Sequence, residues 1–211
     1  MTIDDRLRSA LSVDSSSDRL QAALSAGSYP NPEFVGVLVD RCAVEPDFYV
    51  REMLTWALVR HPASIAVPLV IDQTRSPLPQ ARSQALHTLS KIGDPRGWPA
   101  ITPSLLLDAE DEVARTAWRA AVVLVPEEDE AALATTLASL LGRGDRQSKL
   151  SLSRALADLG DAAWPALNDA SQHAEVAVRI HALATTRMID DPDEGFDTAM
   201  FEAAQSVGGW I

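Results

Sequence analysis

The chain has 211 residues, 46% of them apolar and only 5% aromatic, with a formal net charge of −12. Such acidity argues against a sequence-independent grip on nucleic-acid phosphates, which needs clustered Lys and Arg. A single cysteine, Cys42, excludes an internal disulfide framework. The start at Met1 lacks the basic and apolar regions of a leader, and the longest apolar runs, such as 120–125, fall far short of the ~20 residues that span a bilayer. These features predict a cytoplasmic, bacterial-type protein that contacts neither nucleic acid nor membrane.

In chain order, residues 3–11 predict a short amphipathic helix. Ser15, Ser16 and Ser17 offer a cap for a second over 18–26, which Gly27 is expected to end. A turn through Pro30 and Pro32 leads to an apolar helix over 33–43. This start shows no repeat pattern and reads as an irregular N-terminal helical cap, 1–45. Helix pairs follow over 46–193: 48–60 with 65–75, 79–92 with 98–107, 112–125 with 128–141, and 147–159 with 165–172. A fifth pairs 176–189 with a C-terminal capping helix in 194–211, over which Trp210 and Ile211 are expected to fold back. No Ser/Gly-rich linker interrupts the array, so it reads as one continuous domain.

Self-similarity supports these pairs. A basic residue stands one turn into each first helix at Arg51, Arg82, Arg115, Lys149 and Arg179, in steps of 31, 33, 34 and 30. Seven residues on lie Leu58, Leu89, Val122 and Leu156, with Thr186 the exception. Ten on lie Ile92, Val125, Leu159 and Ile189, with His61 the exception. Such offsets share one helical face. Pro68, Pro99 and Pro165 each open an apolar run, as a proline does in a first helical turn. Asp47, Asp111, Asp145 and Glu175 stand four before the basic residue, either capping their own helices or pairing between neighbouring repeats as a ladder.

The pattern Asp-x-x-x-Arg, a small residue or Leu, Leu, Gly/Asp-Pro and then Pro-small-Leu/Ile resembles the HEAT-like repeat of the phycobilin-lyase type, over about 46–193. The resemblance implies an all-α, right-handed α-solenoid of about five two-helix repeats. It says little about activity, since its members include interaction scaffolds, bilin lyases, a metal-dependent hydroxylase and DNA glycosylases of related fold.

Residue chemistry favours the scaffold. Four histidines, His61, His87, His173 and His181, lack the i, i+4 pair or the His-Glu pairs of a metal site, so no metal and no cofactor is expected. Cys42 reads as a small buried hydrophobe rather than a nucleophile. Trp56, Trp98, Trp118 and Trp164, with Asp72 or Asp169, invite a glycosylase reading, but second helices carry few cations. Trp118 falls at a core offset, and Trp98 and Trp164 hold matching repeat positions. No catalytic residue is assigned.

The inner surface of a solenoid is lined by second helices. Counting four and seven residues from the prolines places Asp72 with Arg75, Pro103 with Leu106, and Asp169 with Gln172 on that concave face. Thr135 and Ala138 take the equivalent places in repeat three. The alternative for Leu106 is the repeat interface. Acidic runs at Glu127, Glu128, Asp129 and Glu130, and at Asp190, Asp191 and Asp193, fall at turns inside repeats and form an acidic edge, either a solvated face or a site for a basic partner. The expected function is a non-enzymatic scaffold binding another protein or peptide on the concave face. The alternatives are a glycosylase-like or bilin-lyase-like enzyme, and a homodimer through the last helix around Phe196, Met200 and Phe201.

Overall fold

The computed structural model describes residues 2–208, and among them no strand occurs. Two compact units, Met1–Ala120 and Ala121–Ile211, divide the chain inside one helix, α8 (Asp111–Leu124). The first unit also holds α1 (Ile3–Ala10), α2 (Ser16–Ser28), α3 (Phe34–Cys42), α4 (Phe48–Val59), α5 (Ala63–Gln73), α6 (Pro79–Ile92) and α7 (Pro103–Leu106). In it α2, α4 and α6 pack side by side as one layer, and α1, α3 and α5 form the other. The second unit holds α9 (Glu130–Ala138), α10 (Arg146–Asp158), α11 (Trp164–Ser171), α12 (Val176–Asp190) and α13 (Phe196–Gly208). There α10 packs on α12, with α9, α11 and α13 as their layer partners. Trp210 and Ile211 lie outside the described residues.

Local chemistry sets the helix starts. Ser15, Asp47 and Asp145 each accept a bond from the backbone N–H three residues on, at 3.3, 3.1 and 2.8 Å. For Asp47 and Asp145 this is the capping role, one of the two the spacing allowed. The repeated arginine has a separate task. Arg51 Nη1 donates to the carbonyls of Glu45 and Pro46, Arg82 Nη1 to Ser76 and Pro77, and Arg179 Nη1 to His173 and Ala174. Each guanidinium thus satisfies two connector carbonyls, at positions five and six before it, to which no backbone N–H among the described residues donates.

Arg19 does the same to Val13 and Asp14, at 2.9 and 2.7 Å. The arginine latch therefore also occurs in the segment 1–45. Arg19 also forks onto Glu45, Nε to Oε2 at 2.9 Å and Nη2 to Oε1 at 2.7 Å, and both side chains are buried. Arg82 forks onto Asp108 in the same way, at 3.0 and 3.1 Å. Arg41 also donates to Glu45. Burial alone would raise the Glu45 carboxyl; the bonds from Arg19, the Asp47 N–H and Arg41 overcome it, and its pKa lies below the usual value.

Each unit closes its first-helix layer with a ring of hydrogen bonds. Between α4 and α6, the Gln84 amide donates to Thr55 Oγ1 (2.8 Å), the Thr55 and Thr88 hydroxyls meet at 3.2 Å, and Thr88 donates to the Gln84 carbonyl (2.8 Å). Between α10 and α12, His181 Nε2 meets Ser153 Oγ (3.0 Å), Ser153 meets Thr185 Oγ1 (2.8 Å), and Thr185 donates to the His181 carbonyl (2.9 Å). Around both rings the hydroxyls stand four and six residues after the basic positions of successive helices, and the amide or imidazole two after. A burial-only reading of apolar offsets passes over this polar seam.

Three sequence expectations change. Gly27 does not end α2: it is buried inside it, where an added Cβ would stand 2.3 Å from the Trp56 ring and 2.9 Å from the Ala57 backbone. It is a packing glycine that lets α2 approach α4. Pro68 lies inside α5, as its sixth residue rather than in the first turn. The helix expected over 98–107 is a 3-10 turn, Pro95–Ala100, followed by the four-residue α7. Pro95, Pro99 and Pro103 each remove an N–H, and each disfavours helical backbone at the preceding residue, so Thr102 is extended (φ −82°, ψ 158°).

Candidate interaction cleft

In the second unit, α9, α11 and the connector into α12 enclose an open cleft of about 390 Å³. Its apolar surface is built from Ala138, Leu141, Pro165, Ala166, Ala170 and Val178. Pro165 sits in the first turn of α11, where a proline fits, and the small alanines leave the space between the helices unfilled. Thr135, Ser139, Arg143, Asp169, His173 and Glu175 supply the polar lining.

The polar groups are only partly used. Thr135 Oγ1 donates to the Ala131 carbonyl (2.9 Å) and Ser139 Oγ to the Thr136 carbonyl (2.6 Å), leaving their oxygens able to accept. His173 Nδ1 accepts from the Glu175 N–H at 3.1 Å, which puts the proton of the neutral ring on Nε2. The Asp169 and Glu175 carboxylates and the Arg143 guanidinium pair with no side chain among the described residues, and all three are exposed. The cleft therefore offers donors and acceptors of both signs above an apolar floor, which suits the backbone and side chains of a polypeptide.

Of the residues counted onto the inner face, Thr135, Ala138 and Asp169 line this cleft together, and Gln172, between the lining residues Ala170 and His173, is exposed and bonds Ser171. In the first unit Asp72 and Arg75 are exposed and approach each other at 3.8 Å, and Pro103 is exposed. Leu106 is a correction. It is only 4% exposed, Trp118 Nε1 donates to its carbonyl at 2.9 Å, and Leu107 faces solvent at 51% instead. Counting from Pro99 assumed an unbroken helix, and the break at Thr102 resets the phase. The cleft residues that the count missed, Arg143, His173 and Glu175, stand on connectors where no helical period applies. His173 was weighed only as a metal ligand.

The acidic runs occupy the turns named for them. Glu127, Glu128 and Asp129 form a 3-10 turn before α9, Glu130 opens that helix, Asp190 ends α12, and Asp191 and Asp193 follow it before α13, all three exposed. Around the last helix, Phe196 is buried edge-on to His181 and Met200 packs against Ala184, Ala199 and Ala203, leaving Phe201 exposed.

Other candidate groups are occupied structurally. Burial pushes the Cys42 thiol up to about 12. His61 Nδ1 donates to the Ala57 carbonyl (2.7 Å) while Nε2 accepts from the Asn31 N–H (3.3 Å). His181 Nδ1 accepts from the Gly142 N–H (3.0 Å), and burial holds its pKa down at about 4. Among the described residues no group of three or more His, Cys, Asp or Glu is arranged to hold a metal ion, and no helix is long and apolar enough to cross a membrane.

Comparison with known proteins follows this architecture. No curated protein sequence matches the chain. An engineered protein of known structure is 20% identical with a TM-score of 0.51, covering 100% of this chain and 99% of its own. The likeness is one of fold. Human deoxyhypusine hydroxylase in complex with glycerol is 17% identical with a TM-score of 0.47, over 97% of this chain and 94% of its own. The complex of CpcE and CpcF of phycocyanin lyase from a Nostoc species is 17% identical with a TM-score of 0.39, over 98% and 95%. The family description that matches is HEAT repeats, over residues 37–122. With its layered helix pairs and recurring arginine latches, this all-α chain is similar to HEAT repeats over residues 37–122.

Proposed function

We propose that the chain is a non-enzymatic interaction scaffold that holds a peptide-like segment of another protein in the cleft between α9 and α11. One observation carries the reading: an open cleft of about 390 Å³, in the second-helix layer, presents unpaired charges and free hydroxyl acceptors above an apolar floor. Interaction modules of this kind bind through an apolar anchor with polar contacts around it. Selection of a random peptide library on the full chain, repeated on an Ala166→Trp variant that fills the cleft, tests it. Enriched peptides should bind the parent chain and lose binding to the variant. Enrichment indifferent to Ala166→Trp, or none, overturns the reading.

A further inference from the structure

Resting on that reading, we infer that the cleft selects a segment presenting a basic side chain, whose cation lies between Asp169 and Glu175 and whose aliphatic stem lies on the alanine and proline floor. Elsewhere in the chain, carboxylates with a cation in reach are committed to it: Asp40 to Arg8, Glu45 to Arg19 and Arg41, Asp94 to Arg96, Asp108 to Arg82, and Asp197 to Arg146. Asp169 and Glu175 line one cleft without such a partner among the described residues, although Arg143 lines the same cleft. No ion pair joins Arg143 to either carboxylate. Two anions against one cation leave the cleft a charge short.

An arginine or lysine side chain supplies that charge. Its methylenes suit a floor of Ala138, Pro165, Ala166 and Ala170, since long basic side chains lay their stems on apolar surface and keep the head polar. Its head makes charge-assisted bonds, which are stronger than neutral ones. Arg143, a donor only, is left to bond the backbone carbonyls of the same segment, and Thr135 and Ser139 to accept its N–H groups.

The test uses the full chain, isotope-labelled and followed by NMR, with N-acetyl-arginine methylamide as probe and the neutral isostere N-acetyl-citrulline methylamide as control. The arginine probe should shift amides within 135–143 and 165–178 and saturate. The citrulline probe, or an Asp169→Asn/Glu175→Gln double variant, should weaken binding about tenfold or more. Both substitutions are on exposed groups, so the fold survives them. Equal response to the two probes, or arginine shifts that spread to the acidic turn at 127–130 and survive the double variant, overturns the inference. If the peptide library instead yields cleft-dependent binders with no basic residue, the scaffold reading stands and this inference falls. If it yields no cleft-dependent binder, both fall.

Discussion

The two units solve one problem with different chemistry. Each buries a ring of three polar side chains between successive first helices, with the same offsets and the same direction of donation, but the donor is the Gln84 amide in one and the His181 imidazole in the other. An amide is neutral at every pH. The imidazole is neutral only while its site forbids the proton. His181 is 0% exposed, and its Nδ1 accepts from the Gly142 N–H, so a proton placed there would both be desolvated and face another donor. Matching offsets thus leave one ring indifferent to acid and the other dependent on it. The first unit has its own charged dependence, the buried fork of Arg19 on Glu45. At the corresponding basic position the second unit has Lys149, which has no planar fork to offer.

The largest effect should come from the fork. Glu45→Ala leaves Arg19 and Arg41 facing a void and frees the connector before α4, and should cost about 3 kcal/mol or more of stability. Denaturant unfolding measures the loss, and amide exchange should locate it in residues 2–120. A loss below about 1 kcal/mol would show that water replaces the carboxylate and that the two units are anchored alike.

Acid should separate the units next. The folded pKa of His181 is about 4, against 6.5 for the free side chain, so the unfolded chain takes up the proton first as pH falls. Its contribution to stability is complete above about pH 6.5, declines between there and about pH 4, and is constant below; the span is about 3 kcal/mol. Amide exchange on α10 and α12 should accelerate over that interval. His181→Gln, which copies the first unit's ring, should remove this part of the pH dependence. Persistence of the same titration in the variant would assign it to another group.

The smallest effect tests the likeness itself. Thr88→Val and Thr185→Val each remove the hydroxyl that closes a ring and should each cost about 1 kcal/mol. The two lie in separate units, so the double variant should be additive. A cost at one site several times that at the other would mean that the rings match in geometry and not in energy.

Much of this architecture was legible in the sequence. The recurring base, the apolar offsets and the caps Asp47 and Asp145 predict the helix pairs, because each acts within one helix or its own connector. Arg19 escaped because its apolar offsets are blurred: Ala26 lies at the seventh residue and exposed Tyr29 at the tenth. Leu106 was misplaced because three prolines four apart break the helix on which the count relied. In the cleft, Thr135, Ala138 and Asp169 were reached by counting along helices. Arg143, His173 and Glu175 were not, since their place depends on how connectors fold against α9 and α11.

The arginine latch carries a last consequence. It grips main-chain oxygens, and the gripped pairs are Val13 with Asp14, Glu45 with Pro46, Ser76 with Pro77, and His173 with Ala174. Nothing in the grip reads which side chains the connector bears. A connector between stacked modules can therefore change its lettering freely, acquire charge, or line a cleft as the His173 connector does, while the latch keeps its hold.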